Sequence, residues 1–304
     1  MKQSLLNSAM AIILNRKHLA ETQAQEVLSG AFKNAEFKTA YQALQQAIQN
    51  QAKDEAYGIK NDGSEVKKCQ KEYENVKNKL KIGSISPNYH CKKCGDRGIV
   101  NGEYCTCLKK EIALLLIKNS GFDSLEDFSQ SNFSIFEDQE KAKKIYALMQ
   151  KWCTCQTNKT LVYLFGQTGT GKTHLMKCMA KSLIDEGKIC QLLSAFALNQ
   201  KFLQIHTSSE ETKAQLLDDL LSVEVLFIDD LGTEPVYKNV TREYLYLLIN
   251  ERQARNLRTV ITSNLDPEQI MSRYDERIFS RIINKDKSIC LEISGKDLRV
   301  KKKA

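Results

Sequence analysis

The sequence Gly166-Gln-Thr-Gly-Thr-Gly-Lys-Thr173 matches the pattern G-x-x-x-x-G-K-[ST] at every position. Apolar residues 161–165 precede it, and a helix-compatible stretch, 173–186, follows it. In such a loop, glycines let backbone N–H groups face phosphate oxygens, the lysine adds positive charge, and the threonine hydroxyl reaches a magnesium ion. The residues predicted to bind ATP are Gly166, Gln167, Thr168, Gly169, Thr170, Gly171, Lys172 and Thr173.

A second motif supplies the acid that a phosphate-binding loop needs to hold its metal. In Val225-Leu-Phe-Ile-Asp229-Asp230, four apolar residues end in two carboxylates. A buried strand would deliver Asp229 to the carboxyl edge of a sheet beside the loop, so Thr173 and Asp229 are the predicted magnesium ligands. Asp230 is the predicted catalytic acid that polarises an attacking water. Asn264, in the strand-ending stretch 262–264, is predicted to reach the γ-phosphate or that water.

Short apolar segments alternate with longer helical patterns from residue 159 onward. The predicted strands cover 161–165, 189–193, 225–228, 259–263 and 289–293. This alternation is typical of an α/β domain with a mostly parallel central sheet. We predict this P-loop ATPase domain over residues 123–304, after a loop rich in phenylalanine.

Residues 1–85 are predicted to form a separate helical region, and whether its apolar stripe faces a core or a partner stays open at this point. They contain no proline, and apolar residues such as Leu6, Met10 and Ile13 recur at helical spacing. The N-terminus has only a short apolar patch and no small-residue cleavage site. No apolar run reaches the roughly 18 residues of a membrane span. We therefore predict a cytoplasmic protein with no membrane contact.

Four of the ten cysteines lie close together, in Cys91-x-x-Cys94 and Cys105-x-Cys107. Without a secretion signal, such a cluster is typical of a metal site. The turn-rich segment between the pairs would place four sulfurs around a tetrahedral Zn²⁺. We predict these cysteines as zinc ligands in a module covering 86–122. Replacement of one sulfur by His90, or an iron–sulfur cluster in place of zinc, stays open at this point.

Two arginines in the C-terminal part have the spacing of one helical turn. Arg277 and Arg281 lie four residues apart, and one of them is predicted to complete a neighbouring subunit's ATP site as an arginine finger. The formal net charge of +8 is compatible with a nucleic-acid partner and equally with a modestly basic surface.

Together these motifs resemble the DnaC/DnaI-type helicase-loader ATPases of the AAA+ class, whose ATPase domain is similar to the IstB transposition helpers. The segments that carry the resemblance are 166–173, Leu226-Phe-Ile-Asp-Asp-Leu-Gly232, Ile261-Thr-Ser-Asn264, Glu276-Arg-Ile-Phe-Ser-Arg281 and Asp297-Leu-Arg299. The resemblance covers residue 125 to the C-terminus. Helices followed by a cysteine module also look like the DnaI-type arrangement.

The resemblance implies roles for single residues. Asn264 would be sensor 1, Arg281 the arginine finger with Arg277 as the second choice, and Arg299 sensor 2. Many AAA+ proteins have glutamate where this chain has Asp230, and the shorter acid would alter the hydrolysis rate.

The resemblance also implies the leading hypothesis for function. The chain would load a hexameric replicative helicase onto single-stranded DNA, using ATP, Mg²⁺ and Zn²⁺ and associating with itself through its ATPase domains. An IstB-like helper of a transposase is one alternative, and the cysteine module argues against it. A zinc-bearing DNA-binding protein that uses ATP as a switch is another. A small-molecule kinase is less compatible, because the sequence has no acceptor-binding lid.

Overall fold

The computed structural model describes residues 3–59, 62–118, 120, 122, 124–130, 138–295 and 297–298. The chain divides into two compact units, Ile12–Val100 and the residues on either side of it. Arg299, predicted as a catalytic residue, and Asp123, predicted to begin the ATPase domain, lie outside the described residues. The predicted domain limits stay predictions.

The N-terminal helices are α1 (Gln3–Ala31), α2 (Ala35–Ala56) and α3 (Ser64–Lys79). The unit Ile12–Val100 contains α1 from Ile12 onward and all of α2 and α3. α2 begins where Asn34 Oδ1 accepts a hydrogen bond from Phe37 N at 3.2 Å, as expected of an asparagine at a helix N-cap. Between α2 and α3, the rings of Phe37 and Tyr73 lie 5.7 Å apart within an apolar cluster. The helical character predicted for this region is confirmed, and its limits and its role in partner binding stay predictions.

A short hairpin of β1 (Ile99–Val100) and β2 (Glu103–Tyr104) follows the helices. Its turn contains Asn101 at φ 51° and Gly102 at φ 81°. Both residue types tolerate this left-handed conformation, which is the one that a tight hairpin turn requires. The helix α4 (Thr106–Lys118) begins two residues after β2.

The residues after α4 form an α/β domain, and the five strands predicted in it are confirmed. Its elements, in chain order, are α5 (Gln139–Cys153), β3 (Leu161–Phe165), α6 (Lys172–Asp185), β4 (Cys190–Ser194), α7 (Ala195–Thr207), α8 (Glu210–Leu221), β5 (Val225–Leu231), α9 (Thr241–Ala254), β6 (Arg258–Ser263), α10 (Pro267–Arg273), α11 (Glu276–Ile282) and β7 (Ser288–Glu292). A 3₁₀ turn, Phe128–Gln130, precedes α5. In the described part of the chain, no helix is both long and apolar enough to cross a membrane.

The central sheet has the strand order β4-β5-β6-β3-β7, and every neighbouring pair is parallel. Apolar clusters cover both of its faces, as parallel sheets require. The carboxyl ends of parallel strands share one edge, so the residues that follow β3, β5 and β6 meet there. β6 lies between the strand before the phosphate-binding loop and the strand that carries Asp229. The predicted AAA+ fold with a parallel central sheet is confirmed.

β5 leaves regular pairing near its end. Its register against β6 shifts between Ile228 and Leu231, and Leu231 pairs with Ser263. Asp230 has φ 55°, which an L-amino acid seldom adopts within a strand. A bulge of this kind re-aims the side chains beside it. It also explains why β5 extends to Leu231, three residues beyond the predicted end at 228.

Candidate nucleotide-binding site

The loop between β3 and α6 has the backbone of an anion cradle. Gly166, Gly169 and Gly171 have φ values of 144°, 80° and 96°, a region that only glycine enters readily. A Cβ added to Gly166 would collide with the carbonyl oxygen of Ile293. The loop ends at the N-terminus of α6, where free backbone N–H groups and the helix dipole attract an anion. The glycines of the motif are therefore needed for the shape of the loop.

Lys172 lies inside this cradle. It is 4% exposed, and its Nζ donates hydrogen bonds to Gly166 O at 2.9 Å, Gln167 O at 2.7 Å and Asn264 Oδ1 at 2.9 Å. A buried ammonium group is tolerated only when its protons have acceptors. These acceptors hold the charge at the loop, where the phosphate oxygens of a nucleotide would bind.

Asp229 lies next to Thr173 at the other side of the cradle. Thr173 Oγ1 donates to Asp229 Oδ1 at 3.0 Å, and Thr262 Oγ1 donates to the same oxygen at 2.5 Å. Asp229 is 7% exposed. Burial raises its pKa above the usual range, while the hydrogen bonds from Thr262 and Thr173 act in the opposite direction. A hydroxyl and a carboxylate at this distance form the oxygen donor set that Mg²⁺ prefers, so the residues present fit the ion.

Asp230 and Asn264 lie beside this pair. The bulge in β5 holds Asp230, whose N–H donates to Thr262 Oγ1 at 2.9 Å. Asn264 follows β6 and accepts from Lys172, as described above. The structure therefore brings the loop, Asp229, Asp230 and Asn264 together, and their catalytic roles stay predictions.

The candidate arginine fingers lie apart from this group, on α11. Arg277 donates to Glu243 Oε1 at 3.2 Å and to Asp275 Oδ2 at 3.1 Å. The Arg281 guanidinium lies 6.0 Å from the ring of Tyr246, on α9. Its Nε is buried, and no hydrogen-bond partner for it exists within the described residues. Arg277 is therefore already bonded to two carboxylates, whereas the Nε of Arg281 has no hydrogen-bond partner among the described residues.

Two features of the site were not predicted from the sequence. Thr262 bridges Asp229 and the Asp230 backbone, although the sequence pattern only marked the stretch 262–264. Near the C-terminus, Leu298 N donates to Gly169 O at 2.9 Å, and the carboxylate of Asp297 lies where a Cβ on Gly169 would be. The motif around 295–299 was visible in the sequence, but nothing in it indicated contact with the phosphate-binding loop.

The four predicted zinc ligands come together in the structure. The sulfurs of Cys91, Cys94, Cys105 and Cys107 all lie within 4.8 Å of one another. Tetrahedral Zn–S bonds of about 2.3 Å place sulfurs about 3.8 Å apart, so the four thiols fit a zinc ion. His90 is exposed and outside this group.

The first cysteine pair lies in a turn organised by a buried acid. Asp96 is buried, and its two carboxylate oxygens accept hydrogen bonds from His90 N at 2.7 Å and Cys91 N at 2.8 Å. Gly98 N donates to Cys94 Sγ at 3.4 Å. Such N–H groups stabilise a thiolate, which is the form that binds a metal.

This fold and site define a P-loop nucleotide-binding protein of the AAA+ class. The chain belongs to the family of IstB-like ATP binding proteins, whose family model matches residues 109–304, more than half of the chain.

Individual relatives carry the names of helicase loaders. The replicative helicase loader DnaC of Buchnera aphidicola subsp. Acyrthosiphon pisum is 28% identical over 158 residues, which are 51% of this chain and 62% of that protein. DnaC of Escherichia coli K12 is 27% identical over 119 residues, 38% of this chain and 47% of that protein. The chain thus spans less than two thirds of the length of these relatives.

A crystal structure of DnaI covers 57% of this chain and 90% of its own, with 24% identity and a TM-score of 0.44. The resemblance to DnaC-type loaders related to IstB, predicted from the motifs, is confirmed by the family model and the curated relatives.

Proposed function

We propose that this protein is an ATPase that loads a hexameric replicative helicase onto single-stranded DNA. The observation that carries the proposal is the match of the ATPase region to proteins named replicative helicase loaders. The nucleotide site supports it, because two hydrogen-bonded pairs, Lys172 with Asn264 and Thr173 with Asp229, lie at the phosphate-binding loop.

Each residue of the site has a separate task in this proposal. The backbone of 166–173 and Lys172 bind the phosphates of ATP, and Thr173 with Asp229 hold Mg²⁺. When bound, the ion neutralises charge on the phosphate oxygens. Asp230 accepts a proton from the attacking water or orients that water. Asn264 positions the γ-phosphate together with Lys172.

The remaining parts of the chain are assigned to partners. Arg281 completes the ATP site of a neighbouring copy, so hydrolysis requires self-association through ATPase domains. The helical region grips the helicase, the cysteine module holds one zinc ion, and basic residues contact single-stranded DNA in the cytoplasm. Arg299 would act as sensor 2. A DNA contact that depends on phosphates weakens steeply as salt increases.

A helper of a transposase is the second candidate function. The description of the matching family favours it, since that family is named for IstB-like proteins. The two candidates differ in the partner and share the ATP site.

The test is a loading assay with purified components. The protein is mixed with a hexameric replicative helicase from the same source, with and without ATP, and helicase transfer onto a single-stranded circle is measured. We expect ATP-dependent transfer that Lys172→Ala abolishes. Lys177→Ala, on the same helix α6, is the matched control and should retain transfer.

The outcomes separate the proposals. If Lys172→Ala binds ATP and transfers helicase as the wild type does, the ATP-dependent loader is contradicted. If ATP binds in the wild type but no helicase complex forms, the partner assignment moves to a transposase, and the nucleotide site is unaffected.

A further inference from the structure

The turn after Asp230 is fastened to a residue 40 positions further along the chain. Glu234 is 2% exposed and Tyr274 is 1% exposed. The Tyr274 hydroxyl donates a hydrogen bond to Glu234 Oε1. The other carboxylate oxygen, Oε2, accepts from Gly232 N at 2.9 Å. A buried carboxylate without donors would be strongly unfavourable, so these two bonds account for its presence in the interior.

The residue before Tyr274 fastens the same turn through its backbone. The Arg273 guanidinium donates to the carbonyl oxygen of Glu234 and lies 5.8 Å from the ring of Tyr274. Arg242, on α9, donates to Arg273 O at 2.8 Å. The side chains of Tyr274 and Arg273 therefore tie the turn to the junction between α10 and α11, and Arg242 ties that junction to α9.

The other end of the turn belongs to the nucleotide site. Asp230 N donates to Thr262, and Thr233 Oγ1 donates to Asp230 O at 2.9 Å. Gly232 has φ 107°, and a Cβ there would collide with the side chain of Leu265. A closely packed turn of this kind moves as a unit, so a displacement of Asp230 reaches Glu234.

Tyr274 is followed by α11, the helix that carries the candidate arginine finger. Asp275 caps α11 by accepting a hydrogen bond from Ile278 N at 2.9 Å. α11 carries Arg281, whose backbone oxygen accepts from Gln253 Nε2 at 2.7 Å. The helix therefore begins two residues after the hydroxyl that binds Glu234.

We propose that the hydrogen bond between Glu234 and Tyr274 couples nucleotide binding beside Asp229 and Asp230 to the position of α11. This bond acts through the turn after Asp230, and we call it the latch. Glu234 and Tyr274 are both positioning residues, since neither touches the phosphate-binding loop in the contacts described. The inference rests on the proposed function in one respect, which is that the loop binds ATP. A charge-assisted hydrogen bond is short and directional, so α11 follows when the turn shifts on nucleotide binding.

The test is hydrogen–deuterium exchange of the full chain with Mg²⁺ and a non-hydrolysable ATP analogue. In the wild type, we expect the analogue to change the exchange rate of amides 276–282 by about threefold or more. Tyr274→Phe removes one oxygen, and this response should fall to nearly none while analogue affinity stays within about twofold. Glu234→Gln should also weaken the response, and it replaces Tyr274→Phe as the test variant if Tyr274→Phe folds poorly.

Kinetics and a matched control distinguish coupling from a general loss of structure. Tyr274→Phe should lower kcat for ATP hydrolysis about tenfold, the size expected for one hydrogen bond to a charged group, with KM unchanged. Tyr73→Phe makes the same deletion at a buried tyrosine of the helical region and should leave both the response and kcat unchanged.

Two results would overturn the latch and leave the nucleotide site intact. One is a wild type that binds the analogue with no change at 276–282. The other is a full response in both Tyr274→Phe and Glu234→Gln. A wild type that binds no analogue would instead contradict the proposed function, and with it the latch.

Discussion

Replacing Thr262 by valine tests the geometry around Asp229 most directly. Valine keeps the shape of threonine and removes only the hydroxyl. That hydroxyl donates to Asp229 Oδ1 at 2.5 Å and accepts from Asp230 N at 2.9 Å. The first bond stabilises an ionised carboxylate, and the second satisfies a backbone N–H at the bulge. Both would be lost at once.

The size of the effect follows from these two bonds. A hydrogen bond to a charged group contributes about 1.5–3 kcal/mol, so kcat/KM for Mg²⁺-ATP should fall roughly tenfold to a hundredfold. Loss of the partner of Asp230 N should lower the free energy of unfolding by about 1–2 kcal/mol. Asp229 acts on the nucleotide through the metal, so ATP affinity measured in EDTA should change less than about twofold.

The pH dependence of Thr262→Val has a definite sign. The Thr262 bond lowers the pKa of Asp229, against the raising effect of burial. Its removal raises that pKa further, and a protonated carboxylate does not hold Mg²⁺. As the buffer is acidified, Mg²⁺-dependent nucleotide binding should therefore be lost at a higher pH in the variant than in the wild type.

Thr160→Val is the matched control, because it is the same substitution at a buried threonine. The Thr160 hydroxyl has no hydrogen-bond partner among the described residues. Its replacement should leave binding, hydrolysis and pH dependence unchanged. The reasoning is refuted if Thr262→Val binds and hydrolyses Mg²⁺-ATP like the wild type, or if Thr160→Val loses as much.

Three further outcomes follow from buried groups. Asp229→Asn should abolish Mg²⁺-dependent binding. It should nevertheless raise the thermal midpoint at pH 7, because a carboxyl group with a raised pKa destabilises the fold once it is ionised. This gain should vanish as the pH falls through that pKa. Arg252→Met should lower the free energy of unfolding by about 3 kcal/mol in a denaturant titration, because the buried guanidinium donates to four acceptors. The control Arg255→Met, at the exposed end of the same helix, should change that free energy by less than about 0.5 kcal/mol. Elemental analysis should find about one zinc per chain, lost in Cys94→Ser and retained in Cys155→Ser, whose cysteine is exposed.

The parts of the fold that the sequence predicted are those with local causes. The phosphate-binding loop depends on glycines at fixed positions, and each of them adopts the backbone angle that only glycine accepts readily. The strands of the sheet are continuous apolar runs because both faces are buried, so their predicted positions were correct to within about one residue at most ends. The Asn101-Gly102 turn was predictable for the same reason, because its residue types suit that backbone.

What the sequence did not predict depends on contacts between distant residues. The end of β5 was placed too early because an apolar run stops at Ile228, while the bulge returns Leu231 to pairing with Ser263. No local pattern records that register. The same holds for Asp297. It lies near Gly169 because β7 pairs with β3 in parallel, so the residues after both strands leave the sheet at the same edge.

The strand order explains why Thr262 lies at the centre of the site. β6 is placed between β3 and β5, so a side chain near the end of β6 has the phosphate-binding loop on one side and the acidic strand on the other. Asn264 bonds to Lys172 in the first direction, and Thr262 bonds to Asp229 in the second. One strand end thus contacts both the cation that binds phosphate and the acid that binds metal. A change at 262–264 should therefore affect phosphate and metal binding separately, with Thr262 acting on the metal and Asn264 on the phosphate.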